Sequence, residues 1–494
     1  MTRIPWAWCA IACVALAQTA AGSGVEESAI TFPDAGVWGV VVHTPYRAGA
    51  LKDIGVQWVR VNLRWKNVEQ GARGAYDWTG PDKLLAYYLD HGFHVMAILT
   101  VEDVCPLYEE DKGDQGVVID AISAWAGAFA GRFKGKGILW EIGNEPECFP
   151  MDGYWNDPKT YAKMARKAAA AIKAADPEAK VAALSVAWMD RGFISRALEG
   201  GLLDEGNVDV LTYHGYHRRT MMPESGLAED VAWLRDQARK HAAGGTRVIV
   251  ADSERGYAII PFLEPKSWGS WRNLTYTEAE QAAYLARHYL ETIWLGVEVG
   301  VWYKDMRGES CFSLYYGTDE DAQGLRPMGH VYRNLAALLP DNPKKLRNER
   351  YAVSLVDLPD KLSDPGGSLA VRTFLRTYLA ESNERQRLIV ALWNPVEAFD
   401  GKILDNRKRI GDDYYEAWRA ISPDDHVEVP TQVAITGLAP QQVTQMARCD
   451  LLAEDAGTAV TSIEHRVEGD AVLSPILKVG PMPTVLVVDI ASLP

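Results

Sequence analysis

The chain has 494 residues, of which 48% are hydrophobic and 24% are charged, a composition typical of a folded globular protein. The formal net charge is −15 and no basic stripe is present, which excludes a nucleic-acid backbone as partner. At this length about two domains are expected, and one of them could be a barrel of ~250 residues.

The N-terminus predicts a secretory signal peptide over residues 1–22. Arg3 supplies positive charge, residues 4–16 are apolar, and Ala20 and Ala21 are small residues suited to cleavage. The apolar run is shorter than the ~20 residues of a membrane span. We therefore expect a secreted or periplasmic protein without membrane insertion after cleavage; an uncleaved anchor is the alternative.

Strand and helix patterns then alternate through eight units, which favours an α/β fold of the (β/α)8 TIM-barrel type over residues 30–340. No phosphate-binding glycine pattern follows the first strand, which disfavours an open dinucleotide-binding sheet. The predicted strands cover residues 38–42, 58–63, 94–99, 138–142, 181–186, 208–213, 247–251 and 299–303.

After residue 340 the pattern changes to short strands separated by turn residues, which predicts a C-terminal β-sandwich domain over residues 341–494. No motif in this part indicates a function. The predicted strands cover residues 351–356, 369–374, 387–393, 432–435 and 484–490.

Four cysteines remain after removal of the signal, an even number in an oxidising compartment. Cys105 and Cys148 each follow a predicted barrel strand, and these strands are neighbours, so we favour a disulfide between them. Four buried thiols are the alternative.

The run from Ile138 to Glu147 carries the strongest chemical signal. Its apolar start predicts a buried parallel strand, and Asn144 and Glu145 follow where that strand ends. Pro146 has no N–H and stops further pairing. Because barrel enzymes place catalytic groups at the carboxyl ends of strands, Glu145 is a candidate catalytic carboxylate.

A second carboxylate is expected on a strand across the barrel, because glycoside hydrolysis uses two. The run 247–256 repeats the pattern of an apolar strand followed by acids. Strand alternation predicts that Asp252 and Glu254 share a face, with Glu254 nearer the exit. Glu254 is therefore the second candidate; Glu141 is expected to be a core acid and Glu147 to lie on the rim.

These two runs resemble the motifs of the clan A retaining β-glycosidases, in particular glycoside hydrolase families 5 and 39. The resemblance spans residues 36–340. It implies that Glu145 is the general acid/base and that Glu254 is the nucleophile. It also implies that Asn144 binds the sugar 2-hydroxyl and that Arg60 favours the ionised form of Glu254.

The resemblance extends to the sixth and eighth strands. Tyr213-His214-Gly215-Tyr216 is similar to the group's His-x-Tyr segment, which implies that His214 lines the sugar site and that Tyr216 donates to the nucleophile. Trp302 is similar to the group's sugar-stacking aromatic. Arg255 stands where an aromatic is more usual, which leaves the family open.

A metal site at His43, His214 and His217 lacks a supporting spacing, so we expect no metal and no cofactor. Further tryptophans in predicted strand-end loops are either sugar platforms or core residues: Trp65, Trp155, Trp188, Trp268 and Trp271.

The leading hypothesis is a retaining β-glycosidase acting on an oligo- or polysaccharide. The alternatives are a non-catalytic carbohydrate-binding protein on the same scaffold, and a transglycosylase or exopolysaccharide-processing hydrolase. The sequence does not predict the sugar, the linkage, endo or exo action, or the oligomeric state.

Overall fold

The structure of the protein is a computed structural model. The described residues from 35 onward belong to one compact unit, Asp34–Pro494. The predicted signal peptide lies outside the described residues, which are residue 32 and residues 35–43, 46–101, 104–148, 156–187, 189–216, 223, 226–259, 275–276, 278–305, 312–317, 322–356, 373–381, 386–394 and 428–491.

Eight parallel strands close into a barrel. They are β1 (Trp38–Val41), β2 (Trp58–Arg64), β3 (His94–Thr100), β4 (Leu139–Ile142), β5 (Lys180–Ala187), β6 (Val210–His214), β7 (Ile249–Arg255) and β10 (Gly300–Trp302). Their order around the barrel is β1-β10-β7-β6-β5-β4-β3-β2. Two small sheets lie outside the barrel: β8 (Ala258–Ile259) pairs with β9 (Thr275–Tyr276), and β11 (Tyr315–Gly317) pairs with β12 (Ala322–Leu325).

Helices follow the strands in sequence. They are α1 (Ala48–Asp53), α2 (Trp65–Val68), α3 (Thr79–Asp90), α4 (Gln115–Arg132), α5 (Pro158–Ala175), α6 (Arg191–Glu199), α7 (Leu227–His241), α8 (Glu278–Trp294) and α9 (Pro327–Leu338). Aspartates cap three of them: Asp114, Asp157 and Asp190 accept backbone N–H groups in the first turns of α4, α5 and α6, which satisfies donors that have no partner within the helix.

The barrel strands therefore lie where the alternating pattern predicts them, and the predicted fold class is confirmed. Helix α6 was not expected from the sequence. It has 9 residues, and its buried positions are Phe193, Ile194, Ala197 and Leu198, which is too short a run to give a clear helical pattern. Among the described residues, no helix combines the length and the apolar character needed to cross a membrane.

The C-terminal part forms two five-stranded antiparallel sheets. One has the order β13-β16-β20-β19, with β21 also pairing with β16, and the other has the order β14-β15-β22-β17-β18. The strands are β13 (Ala352–Val356), β14 (Phe374–Glu381), β15 (Gln386–Trp393), β16 (Val429–Thr436), β17 (Val443–Cys449), β18 (Val460–Ser462), β19 (Arg466–Glu468), β20 (Ala471–Leu473), β21 (Leu477–Val479) and β22 (Thr484–Ile490).

The predicted β-sandwich is thus confirmed, whereas the boundary at residue 340 stays a prediction. The predicted strand at 369–374 is displaced, because the described strand begins at Phe374 and residues 369–372 lie outside the described part. The sequence also missed the strands from β17 to β21, which are short or only partly buried.

Strand β15 shows how the sheets pack. Leu388, Val390 and Leu392 belong to the core between the two sheets. The alternate residues, Ile389, Ala391 and Trp393, belong to the same buried cluster as the barrel. Because side chains alternate across a strand, one sheet separates the sandwich core from the barrel.

An ion pair and a hydrogen bond join this sheet to α8. Arg376 lies 2.8 Å from Glu291, and the Tyr378 hydroxyl donates to the Leu290 carbonyl at 2.7 Å. The C-terminal domain therefore packs on the barrel through the helix that precedes the eighth barrel strand.

The preferred disulfide between Cys105 and Cys148 is wrong. Cys105 is a buried free thiol, and its Sγ–H lies 3.1 Å from the carbonyl of Glu69. The loop after β3 thus turns Cys105 toward the loop after β2 instead of toward β4.

Candidate active site

The loop after β4 places Glu145 with an unusual backbone. Gly143 has φ 79° and Glu145 has φ 44°, a left-handed conformation that costs roughly 1–2 kcal/mol for a residue with a Cβ. Hydrogen bonds to both neighbouring strands hold it: Gly143 N–H donates to Leu99 O and Glu145 N–H donates to Ser185 O, each at 3.0 Å. The left-handed turn directs the carboxylate into the mouth of the barrel.

A β-bulge places Glu254. Tyr213 pairs with Asp252, but the next residue, His214, pairs with Glu254, so that Ser253 is an extra residue on β7. Paired residues of neighbouring parallel strands face the same side. Glu254 therefore faces the barrel interior with His214, whereas Asp252 faces the helix layer with Tyr213.

The prediction that Asp252 and Glu254 share a face is thus wrong, because the bulge interrupts the alternation. Asp252 is fully buried and its Oδ2 lies 2.9 Å from Nε2 of His288 on α8. Arg255, also buried, donates to the Tyr257 hydroxyl at 2.7 Å and 3.1 Å. Neither Asp252 nor Arg255 reaches the candidate site.

Arg60, near the middle of β2, contacts four other residues of the site. Its Nε donates to Glu141 at 2.7 Å, its Nη1 donates to Glu254 Oε2 at 2.7 Å, and its Nη2 donates to Asn144 Oδ1 at 2.8 Å. Nη2 also lies 3.3 Å from His214 Nε2. Asn144 is partly exposed, and its amide oxygen is the end of the side chain that Arg60 binds. Glu141 is a buried core acid, as expected.

The two candidate carboxylates meet above Arg60. Glu145 Oε1 lies 2.8 Å from His214 Nδ1, and Tyr216 donates to Glu254 Oε1 at 3.0 Å. One oxygen of Glu145 and one of Glu254 lie within 4.8 Å of each other. The side chains of Glu145 and Glu254 are 15% and 13% exposed, whereas that of His214 is 0% exposed. Both carboxylates can therefore reach a ligand.

Burial raises the pKa of Glu254, while the positive charges of His214 and Arg60 and the Tyr216 hydrogen bond act in the opposite direction. Burial and the charge of Glu254 hold the pKa of Tyr216 well above its usual range, so Tyr216 stays a donor. For His214, burial lowers the pKa, but Glu254 and Glu145 outweigh it, and the net shift is upward.

Glu147, expected on the rim, is partly buried instead. Burial raises its pKa to about 7, and the charge of Glu145 adds to that effect. Its Oε1 lies 3.7 Å from the Cys148 thiol. The expectation of a surface position is wrong because the left-handed turn at Glu145, which redirects the chain, is not evident from the sequence.

Trp302 does not enter the site. It pairs with Val40 on β1, two residues after Trp38, whose ring stacks on Tyr289 of α8 at 4.5 Å. The face that carries Trp38, Val40 and Trp302 therefore points to the helices. Trp302 is 0% exposed, which favours packing over sugar stacking.

Tyr303 is the aromatic that the sequence reasoning missed. It follows β10, is half-buried, and its ring meets His43 edge-on with centroids 5.3 Å apart. The sequence does not reveal the register of β1 against β10, which determines that Trp302 faces the helices.

Of the other tryptophans, Trp65 is fully buried and donates to Glu69 at 2.6 Å, so it is a core residue. The remaining candidate platforms lie outside the described residues: Trp155, Trp188, Trp268 and Trp271.

Glu145, His214 and Glu254 each offer one potential ligand atom within 4.8 Å of the others, a spacing that a metal ion could use. The guanidinium of Arg60, however, lies 2.7 Å from Glu254 and 3.3 Å from His214. Its fixed positive charge opposes a cation at this point. His217, one of the predicted metal-site histidines, lies outside the described residues.

No family model matches the sequence, and no curated protein matches it. Solved structures do resemble the fold. A family 39 glycoside hydrolase from the gut symbiont Bacteroides cellulosilyticus has a TM-score of 0.59 at 15% identity, over 93% of this chain and 82% of that chain. A family 39 enzyme from Xanthomonas axonopodis pv. citri has a TM-score of 0.55 at 15% identity, over 93% and 96%.

A glucosidase from Croceicoccus marinus has a TM-score of 0.52 at 13% identity, over 94% of this chain and 97% of that chain. At such low identity these similarities show the fold alone. They confirm the predicted structural resemblance to clan A hydrolases, and the high coverage includes both the barrel and the C-terminal sheets.

Proposed function

We propose that the protein is a secreted retaining β-glycosidase that hydrolyses O-glycosidic bonds of an oligo- or polysaccharide. The observation that carries the proposal is the pair of partly exposed carboxylates, Glu145 and Glu254, with one oxygen of each within 4.8 Å of the other. Retaining enzymes place their carboxyl groups ~5–5.5 Å apart, whereas inverting enzymes need ~6.5–9.5 Å to admit a water.

In the first step, a Glu254 oxygen attacks the anomeric carbon while Glu145 protonates the departing glycosidic oxygen, so that one C–O bond forms as another breaks. In the second step, Glu145 takes a proton from water, the water oxygen bonds to the anomeric carbon, and the ester to Glu254 breaks. The positive charge of Arg60, 2.7 Å from Glu254, favours the ionised nucleophile in the free enzyme.

The surrounding groups support the same chemistry. The amide N–H groups of Asn144 can donate to a sugar hydroxyl, because its carbonyl is occupied by Arg60. Tyr303 offers a partly exposed ring at the eighth strand, where a flat aromatic face can pack on a sugar. The similar structures include family 39 enzymes and a glucosidase, which makes neutral β-glycosides the first substrates to test.

The test is a screen of the purified protein against aryl β-glycosides and intact polysaccharides, followed by NMR of the first-formed anomer. We expect a β product, and an α product would contradict the retaining mechanism. Intact polysaccharide bound without cleavage of any substrate would favour the binding-protein alternative.

Azide rescue then separates the two roles. Glu254→Ala should yield the α-glycosyl azide from an activated β-glycoside, because azide replaces the nucleophile. Glu145→Ala should yield the β-glycosyl azide, because azide attacks the covalent intermediate. Activity equal to that of the unaltered protein in either variant would contradict the assignment.

The secreted or periplasmic location is part of the proposal and has its own test. The full chain, expressed in a bacterial host, should yield a mature protein that begins near residue 23 by N-terminal sequencing. Full-length protein retained in the membrane fraction would instead indicate an uncleaved anchor.

A further inference from the structure

The hydrogen bonds of Arg60 determine which nitrogen of His214 carries a proton. Nη2 of Arg60 has two hydrogens; one goes to Asn144 Oδ1 at 2.8 Å, and the other faces His214 Nε2 at 3.3 Å. A guanidinium can only donate and does not lose its proton. Nε2 must therefore accept, and the neutral imidazole must carry its proton on Nδ1.

Nδ1 of His214 lies 2.8 Å from Oε1 of Glu145. Since Nδ1 carries the hydrogen, Oε1 accepts it and is not the oxygen that holds the proton of Glu145. Among the described residues, the Glu145 carboxylate makes this hydrogen bond through Oε1 and none through Oε2. The remaining oxygen, Oε2, is then the one able to exchange a proton with a ligand.

We propose that His214 is a positioning residue that confines the transferable proton of Glu145 to Oε2. This inference rests on the proposed glycosidase function. His214 is fully buried, so it does not line the sugar site as the sequence suggested. It hydrogen-bonds to Glu145 at 2.8 Å, whereas its Nδ1 lies 4.0 Å from Glu254 Oε1, beyond hydrogen-bond distance, and influences that residue through charge alone.

The arrangement serves both half-reactions. Oε2 gives its proton to the departing glycosidic oxygen while Oε1 keeps its hydrogen bond from His214, which stabilises the new carboxylate. In the second half-reaction, the same Oε2 takes the proton from water. A protonated His214 also has an Nδ1–H, so the upward shift of its pKa leaves the placement unchanged.

The direct test needs no substrate. The full chain is labelled with ¹⁵N-histidine, and the signals of His214, one of 10 histidines, are assigned by their loss in His214→Gln. We expect a proton-bearing Nδ1 across the pH range in which the protein is folded, and an acceptor Nε2 whenever the ring is neutral. A neutral ring protonated on Nε2 would overturn the proposal.

The kinetic test compares two aryl glycosides that differ in leaving group. Poor leaving groups need the proton of Glu145, whereas activated ones do not. In His214→Ala we expect kcat/KM to fall about 10- to 100-fold for the poor leaving group, the scale of one charge-assisted hydrogen bond. The activated substrate should be much less affected.

His214→Asn, whose side-chain amide can donate toward Oε1, should restore part of the lost rate. Equal losses for both leaving groups would mean a merely structural role and would contradict the proposal. If the unaltered protein cleaves neither glycoside, the proposed function fails, while the NMR result still decides how the proton is placed.

Discussion

Asp252 and Glu254 lie two residues apart on β7, yet they face opposite sides of the barrel wall. Glu254 is 13% exposed and contacts Arg60 and Tyr216. Asp252 is fully buried and lies 2.9 Å from His288 on α8. The bulge at Ser253 makes this difference, since an unbroken strand would put both acids on one face.

The comparison shows that a carboxylate at a strand end is not by itself a candidate catalyst. Both acids carry the same chemical group and both have a pKa raised by burial. What distinguishes Glu254 is access to the cleft, together with a cation and a hydroxyl that counteract the effect of burial. The side of the barrel wall that each carboxylate faces therefore determines whether it can take part in a reaction, and the bulge at Ser253 determines that side.

The largest expected effect contrasts Glu254→Gln with Asp252→Asn. Both changes remove a negative charge and keep the size of the side chain. We expect the first to lower kcat by about 10⁴-fold or more, the scale of removing a catalytic nucleophile. Asp252→Asn should keep most of the activity per folded molecule, because Asp252 does not face the cleft.

Steady-state kinetics on an activated aryl glycoside measure both variants, with circular dichroism as the check on folding. A loss in well-folded Asp252→Asn as large as that in Glu254→Gln would break the comparison. It would place Asp252 in the reaction despite its burial.

A second matched pair is Tyr303 and Trp302, which are neighbours in sequence. Tyr303 is half-buried, and we propose that it contacts the sugar, whereas Trp302 is fully buried against the helices. Tyr303→Ala should raise KM and lower kcat/KM while leaving the free energy of unfolding nearly unchanged. Trp302→Ala should lower the free energy of unfolding by about 3–5 kcal/mol, because it empties a buried aromatic site.

Urea unfolding and kinetics together separate the two effects. The reverse outcome, in which Trp302→Ala loses substrate affinity but not stability, would restore the sequence-based assignment of Trp302 as the sugar platform.

Much of this architecture could be predicted from the sequence. The eight buried strands gave a clear alternating pattern, and Glu145 and Glu254 were found because acids directly follow two apolar runs. For Asp252 and Trp302, the sequence could not predict whether the side chain faces the barrel interior or the surrounding helices. That direction depends on a bulge and on strand register, which are set by contacts between distant segments.

The smallest expected effect concerns pH. Burial raises the pKa of Asp252 to about 7, against the opposing charges of Arg255 and His214. A raised carboxyl pKa favours the folded state at low pH, and this stabilisation is lost as pH rises from about 4 through about 7. At 1.36 kcal/mol per pKa unit the loss is at most about 4 kcal/mol.

Asp252→Asn cannot ionise, so the variant should lack this loss. Urea unfolding of both proteins between pH 4 and pH 8 gives the difference in unfolding free energy at each pH. We expect the unaltered protein to lose stability relative to the variant as pH rises. A constant difference would mean that Asp252 titrates normally, for instance because His288 neutralises it.

The central claim is that Glu254 forms a covalent bond to the sugar with Glu145 as its proton donor. The most direct measurement uses a 2-deoxy-2-fluoro β-glycoside with an activated leaving group, of whichever sugar the enzyme cleaves. Peptide mass spectrometry then locates the trapped sugar. We predict a single sugar on Glu254, whereas a sugar on another residue, or turnover with inversion and no adduct, would contradict the account.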